Sequence, residues 1–502
     1  MLAYIFLFVL GLSPVLQAVF DLPLQLALQR AVLLVCLAWL FIRAYGDGLP
    51  RGFADNKFYP LWAAAGFSFV SLLASPFKGD ILNEWGNYAA GLLIFLFAGF
   101  LDKGERGKVE RAVVCGAWLV FSVSLLQAFA PGKVPSRPPL TNFNALALYS
   151  IMLIPFALER KNWALAGALA ALLAWTQSLG AALAGLAVAC VYAISRFRSR
   201  EPEGNARLLP ALAILAVPVL YLLRADSVAG RLTWWRSAWE MFAARPLLGF
   251  GHASFSWAQA AFQPEGAFRE HAIYAHNYYL EFLAENGLPA AAAWFGLLFF
   301  AARAKKGLVK YSVMAALVHS LVDFGLSVPA NFWLFCWLLG SPSGESTPAA
   351  QGAEQRGSSL PLPGDAQGEG RPSRRALGAW LVFVSLLLAA LFELDLRSLA
   401  FEKARIRAAA AAVLGGSTAA ETELRPALEG KLFRAPALEL LGRLSLAAGK
   451  ESGFSPAVYY EMALLENRYS ASAWSALRRI YSVPGREVQA AGLESRRLEV
   501  FK

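Results

Sequence analysis

The chain has 502 residues, of which 57% are hydrophobic and only 16% are charged, and its mean hydropathy is +0.47. Soluble globular domains are about 45–50% apolar and about 25% charged, so this composition excludes an ordinary soluble protein. The formal net charge of +11 is scattered over several loops and forms no single stripe, which argues against a nucleic-acid-binding surface.

Apolar blocks that are candidate membrane helices recur along the chain. A span needs about 20 mostly apolar residues, so the shorter blocks indicate tilted or broken helices. The first block has no basic segment or cleavage site typical of a signal peptide, and we interpret it as a retained helix. The sequence predicts an all-α, polytopic membrane bundle of about twelve or thirteen spans, at residues 2–20, 24–45, 58–75, 81–101, 110–130, 142–158, 162–176, 178–196, 206–224, 287–304, 308–326, 328–341 and 376–394.

Basic residues are concentrated in every second loop between these blocks. The intervening short loops hold few of them, which is the pattern of a membrane protein whose basic loops face the cytoplasm. This pattern predicts a cytoplasmic N-terminus. It also places residues 225–286 and everything after about residue 395 on the outer side of the membrane.

The first half of the long outer loop predicts an amphipathic helix. Trp235, Trp239 and Phe242 share one helical face, and their rings favour the lipid–water interface. Arg231 lies at the start of this helix, where a cation opposes the helix dipole, so it is a candidate for a bidentate grip on a phosphate; snorkelling is the alternative. Arg236 is a second candidate, although it also has Glu240 four residues on, the spacing of a surface ion pair.

The second half of the loop contains "AHNYYLEFLAENG" (275–287), which predicts a helix over residues 273–286. Gly287 suits the left-handed position after a helix, and Pro289 follows it. His276 falls in the first turn, where a neutral imidazole can serve as a general base. From position alone, a structural histidine in an aromatic cluster is the better reading. Its neighbour Asn277 is a candidate supporting residue.

His319 and Asp323 are spaced as i and i+4 in the eleventh predicted span. Ionisable residues within a membrane span are candidate functional groups by default. The alternative is a buried hydrogen-bonded pair that holds two helices together. The charge pattern of the loops places both residues toward the outer half of the membrane, the side that carries the long loop.

No soluble-enzyme motif is present in the sequence: it has no Gly-rich phosphate loop, no HExxH and no cluster with metal-ligand spacing. The cysteines are interpreted as packing residues because all of them fall in apolar blocks without paired spacing, at Cys36, Cys115, Cys190 and Cys336. We therefore predict no metal and no cofactor.

Two polar segments follow the first twelve blocks, which make up a predicted membrane domain over residues 1–340. Residues 341–375 are rich in Ser, Gly, Pro and Gln and predict a disordered cytoplasmic linker. After the last span at 376–394, residues 395–502 predict an extracytoplasmic helical tail. Part of it, 456–485, resembles a tetratricopeptide array, although only about one and a half repeats are legible and a stable stack needs about three. An irregular helical bundle is the alternative, and docking of a partner protein fits either.

Several stretches, taken in order, resemble the O-antigen ligase and O-antigen polymerase superfamily. The most specific part is residues 231–290, where an arginine and "PLLGFG" (246–251) precede "HNYYLEFLAENGLPAAAAWFGLL" (276–298) at similar spacing. "NFNALALYSIMLIP" (142–155), "WTQSLGAALAGL" (175–186) and "HSLVDFGLSVPANF" (319–332) also look similar to that family. The resemblance covers roughly residues 60–340.

The resemblance implies glycan transfer at the outer face of the bacterial inner membrane from a donor on undecaprenyl diphosphate. It implies that Arg231 holds the diphosphate, that His276 deprotonates the acceptor hydroxyl, and that no metal is needed. Leu179 departs from the family pattern, which has an arginine at that position. Arg224 or Arg236 substitutes for it, or the donor differs, or activity is lost; the sequence leaves these three alternatives open.

Three acceptors are compatible with this reading: a lipid A core sugar, another lipid-linked repeat, or a protein hydroxyl. The outer tail favours a polymerase or a transferase assisted by a partner protein. Two other classes of function remain. A transporter or flippase of lipid-linked sugars predicts charged residues within many spans, which the sequence lacks. A degenerate, non-catalytic membrane anchor for the tail is compatible with Leu179.

Overall fold

The computed structural model describes residues 1–16, 21–46, 58–129, 140, 142–198, 225–263, 272–342, 374–448 and 455–501. All regular elements in these ranges are helices, which confirms the predicted all-α class. The predicted span 206–224, Arg224, His271 and nearly all of the predicted linker 341–375 lie outside the described residues.

The membrane domain contains thirteen described α-helices. They are α1 Leu2–Leu16, α2 Leu22–Gly46, α3 Tyr59–Ala74, α4 Lys78–Ala98, α5 Lys103–Phe129, α6 Phe143–Glu159, α7 Trp163–Thr176, α8 Leu179–Arg198, α9 Ala225–Ala244, α10 Phe255–Ala258, α11 Tyr278–Ala304, α12 Val309–His319 and α13 Pro329–Gly340. Short 3₁₀ turns occupy Gln259–Phe262 and Gly325–Ser327. The remaining helices are α14 Arg374–Glu429, α15 Arg434–Ala448, α16 Pro456–Glu466, α17 Ala471–Tyr481 and α18 Glu487–Val500.

Four of the described helices, α2, α4, α5 and α11, are long and apolar enough to cross a membrane, and five shorter apolar helices accompany them. Helix α13 is apolar and buried on every side, as expected of a helix at the centre of a bundle. Large apolar side chains on outer helices, such as Phe129 and Trp163, are exposed instead. A polytopic helical membrane protein is therefore confirmed, while the number of spans stays a prediction.

Two glycine turns lock the outer loop onto helix α11. Gly249 and Gly287 both have positive φ, 63° and 75°. A Cβ on Gly287 would lie 2.3 Å from the carbonyl oxygen of Leu247, and a Cβ on Gly249 would lie 2.3 Å from that of Glu285. Only glycine allows this backbone approach. Gly287 has the left-handed conformation that the sequence predicted. The helix does not end there, however, because it resumes after Gly287 and α11 is one kinked helix that runs to Ala304.

Replacing Gly287 by alanine is expected to destabilise the protein, because a Cβ at positive φ costs about 1–2 kcal/mol and also meets the Leu247 carbonyl. Gly296 is the matched control on the same helix, since a Cβ there meets no atom within 4 Å. Thermal unfolding of the purified protein in detergent should show a lower midpoint for Gly287→Ala and an unchanged or higher one for Gly296→Ala. Equal midpoints would contradict the locked turn.

The last predicted span and the predicted tail lie on one continuous helix. Helix α14 has 56 residues, so no helix end separates the predicted span 376–394 from the predicted tail. Arg30 of α2 holds α14 through two 2.6 Å hydrogen bonds to the Asp395 carboxylate. The tail helices form a cluster of their own, and Tyr469 reaches back to the outer loop, where its ring lies 4.9 Å from that of Phe250. The tetratricopeptide reading stays a prediction.

Candidate active site

Four separate parts of the chain meet at one buried cluster. Helix α9 brings Arg231, the segment before α11 brings His276, the turn after α12 brings Asp323, and the start of α8 brings Gly180. Helix α9 begins at Ala225, so Arg231 lies in its second turn and not at the helix start, where the sequence had predicted it. We call Arg231, His276, His319 and Asp323 the Arg–His–Asp cluster. All four were singled out in the sequence, in three separate regions, and the fold places them together.

Asp323 is the centre of the cluster. One carboxylate oxygen lies 3.4 Å from Nη2 of Arg231, and the other lies 3.4 Å from Nδ1 of His276. The Asp323 side chain has no solvent exposure, whereas those of Arg231 and His276 keep 11% and 20%. A carboxylate is costly to bury unless it is paired, and the Arg231 cation supplies the pairing charge.

The structure corrects the predicted i, i+4 pairing of His319 with Asp323. Helix α12 ends at His319, so Asp323 lies beyond it in a turn rather than on the same helical face. The Asp323 carboxylate accepts a hydrogen bond from the amide of Phe324 at 2.8 Å, a local bond that competes with continuation of the helix. This turn directs Asp323 toward Arg231 and His276.

His276 is also not in the first turn of a helix, as the sequence had predicted. It precedes α11 and has a φ of 53°, in the left-handed region. Its ring stacks on Trp234 with centroids 5.0 Å apart and meets the edge of Phe324 at 4.8 Å. The aromatic cluster predicted as the alternative role is therefore real, and it holds the imidazole beside Asp323.

Asn277 explains why the helix starts after His276. It is the N-cap of α11, and its side-chain oxygen accepts hydrogen bonds from the amides of Tyr279 and Leu280 at 3.1 and 3.0 Å. Glu281 adds a second restraint, because its carboxylate accepts a 2.6 Å hydrogen bond from the amide of Ala275. Asn277 thus supports the site by fixing the backbone, and its side chain is occupied by the cap.

Several buried polar atoms of the cluster have no hydrogen-bond partner among the described residues. They are Nε of Arg231, the indole nitrogen of Trp234, Nδ1 of His276 and both ring nitrogens of His319. Buried polar groups in folded proteins are nearly always paired, and each exception calls for an explanation. Nδ1 of His276 faces Asp323 at 3.4 Å, and the other four atoms are hydrogen-bonding groups that a polar ligand can engage.

The structure places Arg236 away from the cluster and the start of α8 beside it. Arg236 is not brought into the cluster: its side chain is 65% exposed and forms the surface ion pair with Glu240 at 2.7 Å. The start of α8 does reach the cluster. A Cβ on Gly180, the residue after Leu179, would lie 3.4 Å from both the Asp323 carboxylate and Nε2 of His319.

Sequence reasoning missed Trp234 and Glu281. Trp234 lies three residues after Arg231, which places both on one helical face, and this spacing could have identified it. Of the residues predicted to face the lipid–water interface, Trp239 is exposed, whereas Trp235 donates a 3.3 Å hydrogen bond to the carbonyl oxygen of His276. Glu281 had no sequence signal that distinguished it from the other acidic residues of α11.

Comparison with known proteins gives one family. Residues 164–295 match the model of the O-antigen ligase family, Wzy_C, which confirms the resemblance to the O-antigen ligase and polymerase superfamily. The matched residues include Arg231, His276 and the start of α8. The match supports glycan transfer of the ligase or polymerase type by a multi-pass membrane protein. No curated protein matches the chain. Within the described residues, no group of three or more His, Cys, Asp or Glu could hold a metal.

Proposed function

On the premise that residues 164–295 form an O-antigen ligase domain, we propose that the protein transfers a glycan from undecaprenyl diphosphate to an acceptor hydroxyl. The transfer takes place at the outer face of the bacterial inner membrane and uses no metal. The observation that carries the proposal is the Arg–His–Asp cluster, with its buried and unpaired polar atoms.

His276 is the proposed general base. Because Nδ1 faces the Asp323 carboxylate at 3.4 Å, the proton of a neutral imidazole belongs on Nδ1, and the lone pair of Nε2 is left for the acceptor. This is the arrangement by which a carboxylate orients a catalytic histidine in hydrolases. The 3.4 Å separation is long for a hydrogen bond and is expected to shorten when substrate binds.

Arg231 is the proposed diphosphate ligand. Its Nη2 faces Asp323, while its Nε is buried without a partner and is free to donate to a phosphate oxygen. The unpaired indole nitrogen of Trp234 and the imidazole of His319 supply further hydrogen-bonding groups beside it. In this proposal, these groups take the place of the arginine that the family pattern has where this chain has Leu179.

The proposed reaction is a single displacement. The bond between the anomeric carbon of the donor and the phosphate oxygen breaks, and that carbon forms a new bond to the acceptor oxygen. The acceptor proton passes to Nε2 of His276, and undecaprenyl diphosphate leaves with its charge balanced by Arg231. The acceptor is a lipid A core sugar, a second lipid-linked glycan or a protein hydroxyl. The tail against the outer loop is suited to dock an acceptor or a partner protein.

Replacing Arg231 by alanine is expected to remove most of the glycan product, because the leaving diphosphate then loses its buried cation. Arg236→Ala is the matched control on the same helix, since Arg236 is exposed and paired with Glu240. Both variants would be expressed in a strain that lacks its own ligase or polymerase, and the glycan would be resolved on a gel. Normal product from Arg231→Ala would contradict the proposal.

A further inference from the structure

A pocket lies beside the Arg–His–Asp cluster. It encloses about 290 Å³ between helix α4, the turn that contains His252, the segment before α11, and the start of α13. Small-molecule sites typically enclose about 300–1,000 Å³, so this one is the size for a single small ring rather than an extended chain. We call it the acidic cavity, because four carboxylates line it, those of Asp80, Glu84, Glu281 and Glu285.

Three of the four carboxylates are held in place by the protein. Glu285 accepts hydrogen bonds from the amides of Ala253 and Phe255, both at 2.9 Å, and Glu281 accepts from the amide of Ala275 and from the hydroxyl of Ser327. A side-chain amide of α4 donates to Glu84 at 2.9 Å. The carboxylate oxygens therefore have fixed positions, and each has further lone pairs with which to accept hydrogen bonds.

Tyr88 gives independent evidence that the acidic cavity takes a ligand. It lines the cavity, is 1% exposed, and its hydroxyl has no hydrogen-bond partner among the described residues. The ring is held by neighbouring rings, including those of His252 at 4.9 Å and Phe332 at 5.7 Å. A buried tyrosine hydroxyl normally has a hydrogen-bond partner. A ligand that donates and accepts hydrogen bonds would supply that partner for Tyr88.

Aromatic rings complete the lining. Trp257 lines the cavity and is 48% exposed, so its ring is available to a ligand at the mouth. Tyr274 forms part of the wall between the acidic cavity and the Arg–His–Asp cluster. Its ring stacks on Phe324 at 4.4 Å, and Phe324 in turn meets His276 at 4.8 Å. The cavity is thus two ring contacts away from the proposed base.

The cluster and the acidic cavity differ in their charged groups. The cluster contains the Arg231 cation beside Asp323, whereas the acidic cavity is lined by four carboxyl groups and has no lysine or arginine in its lining. Burial lowers the pKa of His252 to about 4, so its imidazole is neutral near pH 7 and adds no positive charge. The acidic cavity therefore offers no cation to a diphosphate. A neutral molecule rich in hydroxyl groups can exchange hydrogen bonds with the carboxyl groups in either protonation state.

We propose that the acidic cavity binds one sugar ring of the acceptor glycan and so presents its hydroxyl to His276. The carboxylates accept hydrogen bonds from the sugar hydroxyls, the Tyr88 hydroxyl adds one more, and Trp257 packs against the apolar C–H face of the ring. This inference rests on the proposed glycan transfer, and it names a saccharide rather than a protein hydroxyl as the acceptor.

The test measures sugar binding directly. The probes are the methyl glycosides of glucose, galactose and N-acetylglucosamine, added to the full-length protein in lipid nanodiscs and followed by saturation-transfer NMR. At least one of them should bind. Tyr88→Phe and Trp257→Ala should each weaken that binding about three- to tenfold, the effect of losing one hydrogen bond or one ring contact.

Two matched variants control for general effects of the substitutions. Tyr149 is also buried with an unpaired hydroxyl but does not line the cavity, so Tyr149→Phe should bind sugar as the parent does. Trp239 is exposed to a similar degree as Trp257 but lies on helix α9, so Trp239→Ala should likewise have no effect. The proposal is overturned if no glycoside binds, if the matched variants weaken binding equally, or if binding requires added Ca²⁺.

A substitution at His276 separates this inference from the proposed function. His276→Asn should lose glycan product while sugar binding persists, because His276 does not line the acidic cavity. If His276→Asn makes normal product, the proposed mechanism fails, whereas the binding measurement still decides on the acidic cavity. If the catalytic variants lose product but no glycoside binds, the acceptor-binding role of the acidic cavity is rejected and the proposed glycan transfer is retained.

Discussion

Replacing His276 by asparagine is expected to lower glycan transfer by about 10²- to 10⁴-fold, the usual contribution of a positioned general base. Asparagine is the informative substitution because His276 has a φ of 53°, and asparagine tolerates this left-handed conformation better than most residues. Alanine at the same position would add backbone strain to the loss of the base. Asparagine has no group that takes up a proton near pH 7.

The rate of glycan transfer is measured with the purified protein, a lipid-linked donor and its acceptor. The folded fraction of each variant is measured by thermal unfolding. The asparagine variant should have a melting midpoint close to that of the parent and should still bind donor, because Arg231 and Asp323 are retained. Trp239→Ala is a control for substitution elsewhere in the outer loop, since Trp239 is exposed and makes no contact with the cluster in the described residues. A rate within threefold of the parent would rule out His276 as the base.

The sequence predicts the all-helical membrane class well because its signal is local. Each block needs only a run of apolar residues, and the all-α class follows from many such runs. Gly287 was predicted as a turn residue for a similar reason, since a glycine with a proline two positions on marks a turn. It has a positive φ in the structure, as do Gly249 and Gly251. The number of spans depends on packing and membrane position and is not fixed by such local signals.

The errors at the site have a common cause: helix ends are decided by capping bonds between side chain and backbone. The apolar spacing in residues 273–286 gave no indication that Asn277 would cap the helix and leave His276 outside it. Likewise, the i, i+4 spacing of His319 and Asp323 suggested one helical face, but α12 ends at His319. In both cases a helix boundary lies at or beside a predicted site residue.

Long-range contacts make up the rest of the site, and no local pattern encodes them. Arg231 and Asp323 are separated by 92 positions, and their pairing requires α9 to pack beside the turn after α12. Glu281 connects the acidic cavity to the Arg–His–Asp cluster. One of its carboxylate oxygens accepts a hydrogen bond from the amide of Ala275, next to His276, and the residue also lines the acidic cavity. A sugar bound to Glu281 would therefore act on the segment that carries the base. This gives acceptor binding a physical path to the position of His276.

Asp323→Asn is expected to reduce the turnover number by roughly 10²- to 10⁴-fold while changing donor affinity much less. The amide matches the carboxylate in size, but it cannot stabilise a positive charge on His276, and it can present an N–H to Nδ1 and so select the wrong tautomer. Arg231 stays beside it, so the diphosphate keeps its ligand. The rate should be measured at saturating donor and acceptor and the donor dissociation constant in a separate binding experiment.

The matched control is Asp395→Asn. Asp395 is also a buried aspartate paired with an arginine, at 2.6 Å from Arg30, but it links α2 to α14 and has no contact with the cluster. Asparagine there should lower the melting midpoint and leave the turnover of the folded fraction unchanged. Asp323→Asn should do the reverse, with a large loss of turnover per folded molecule. If both aspartates affect only stability, Asp323 is a packing ion pair and His276 is not oriented for catalysis.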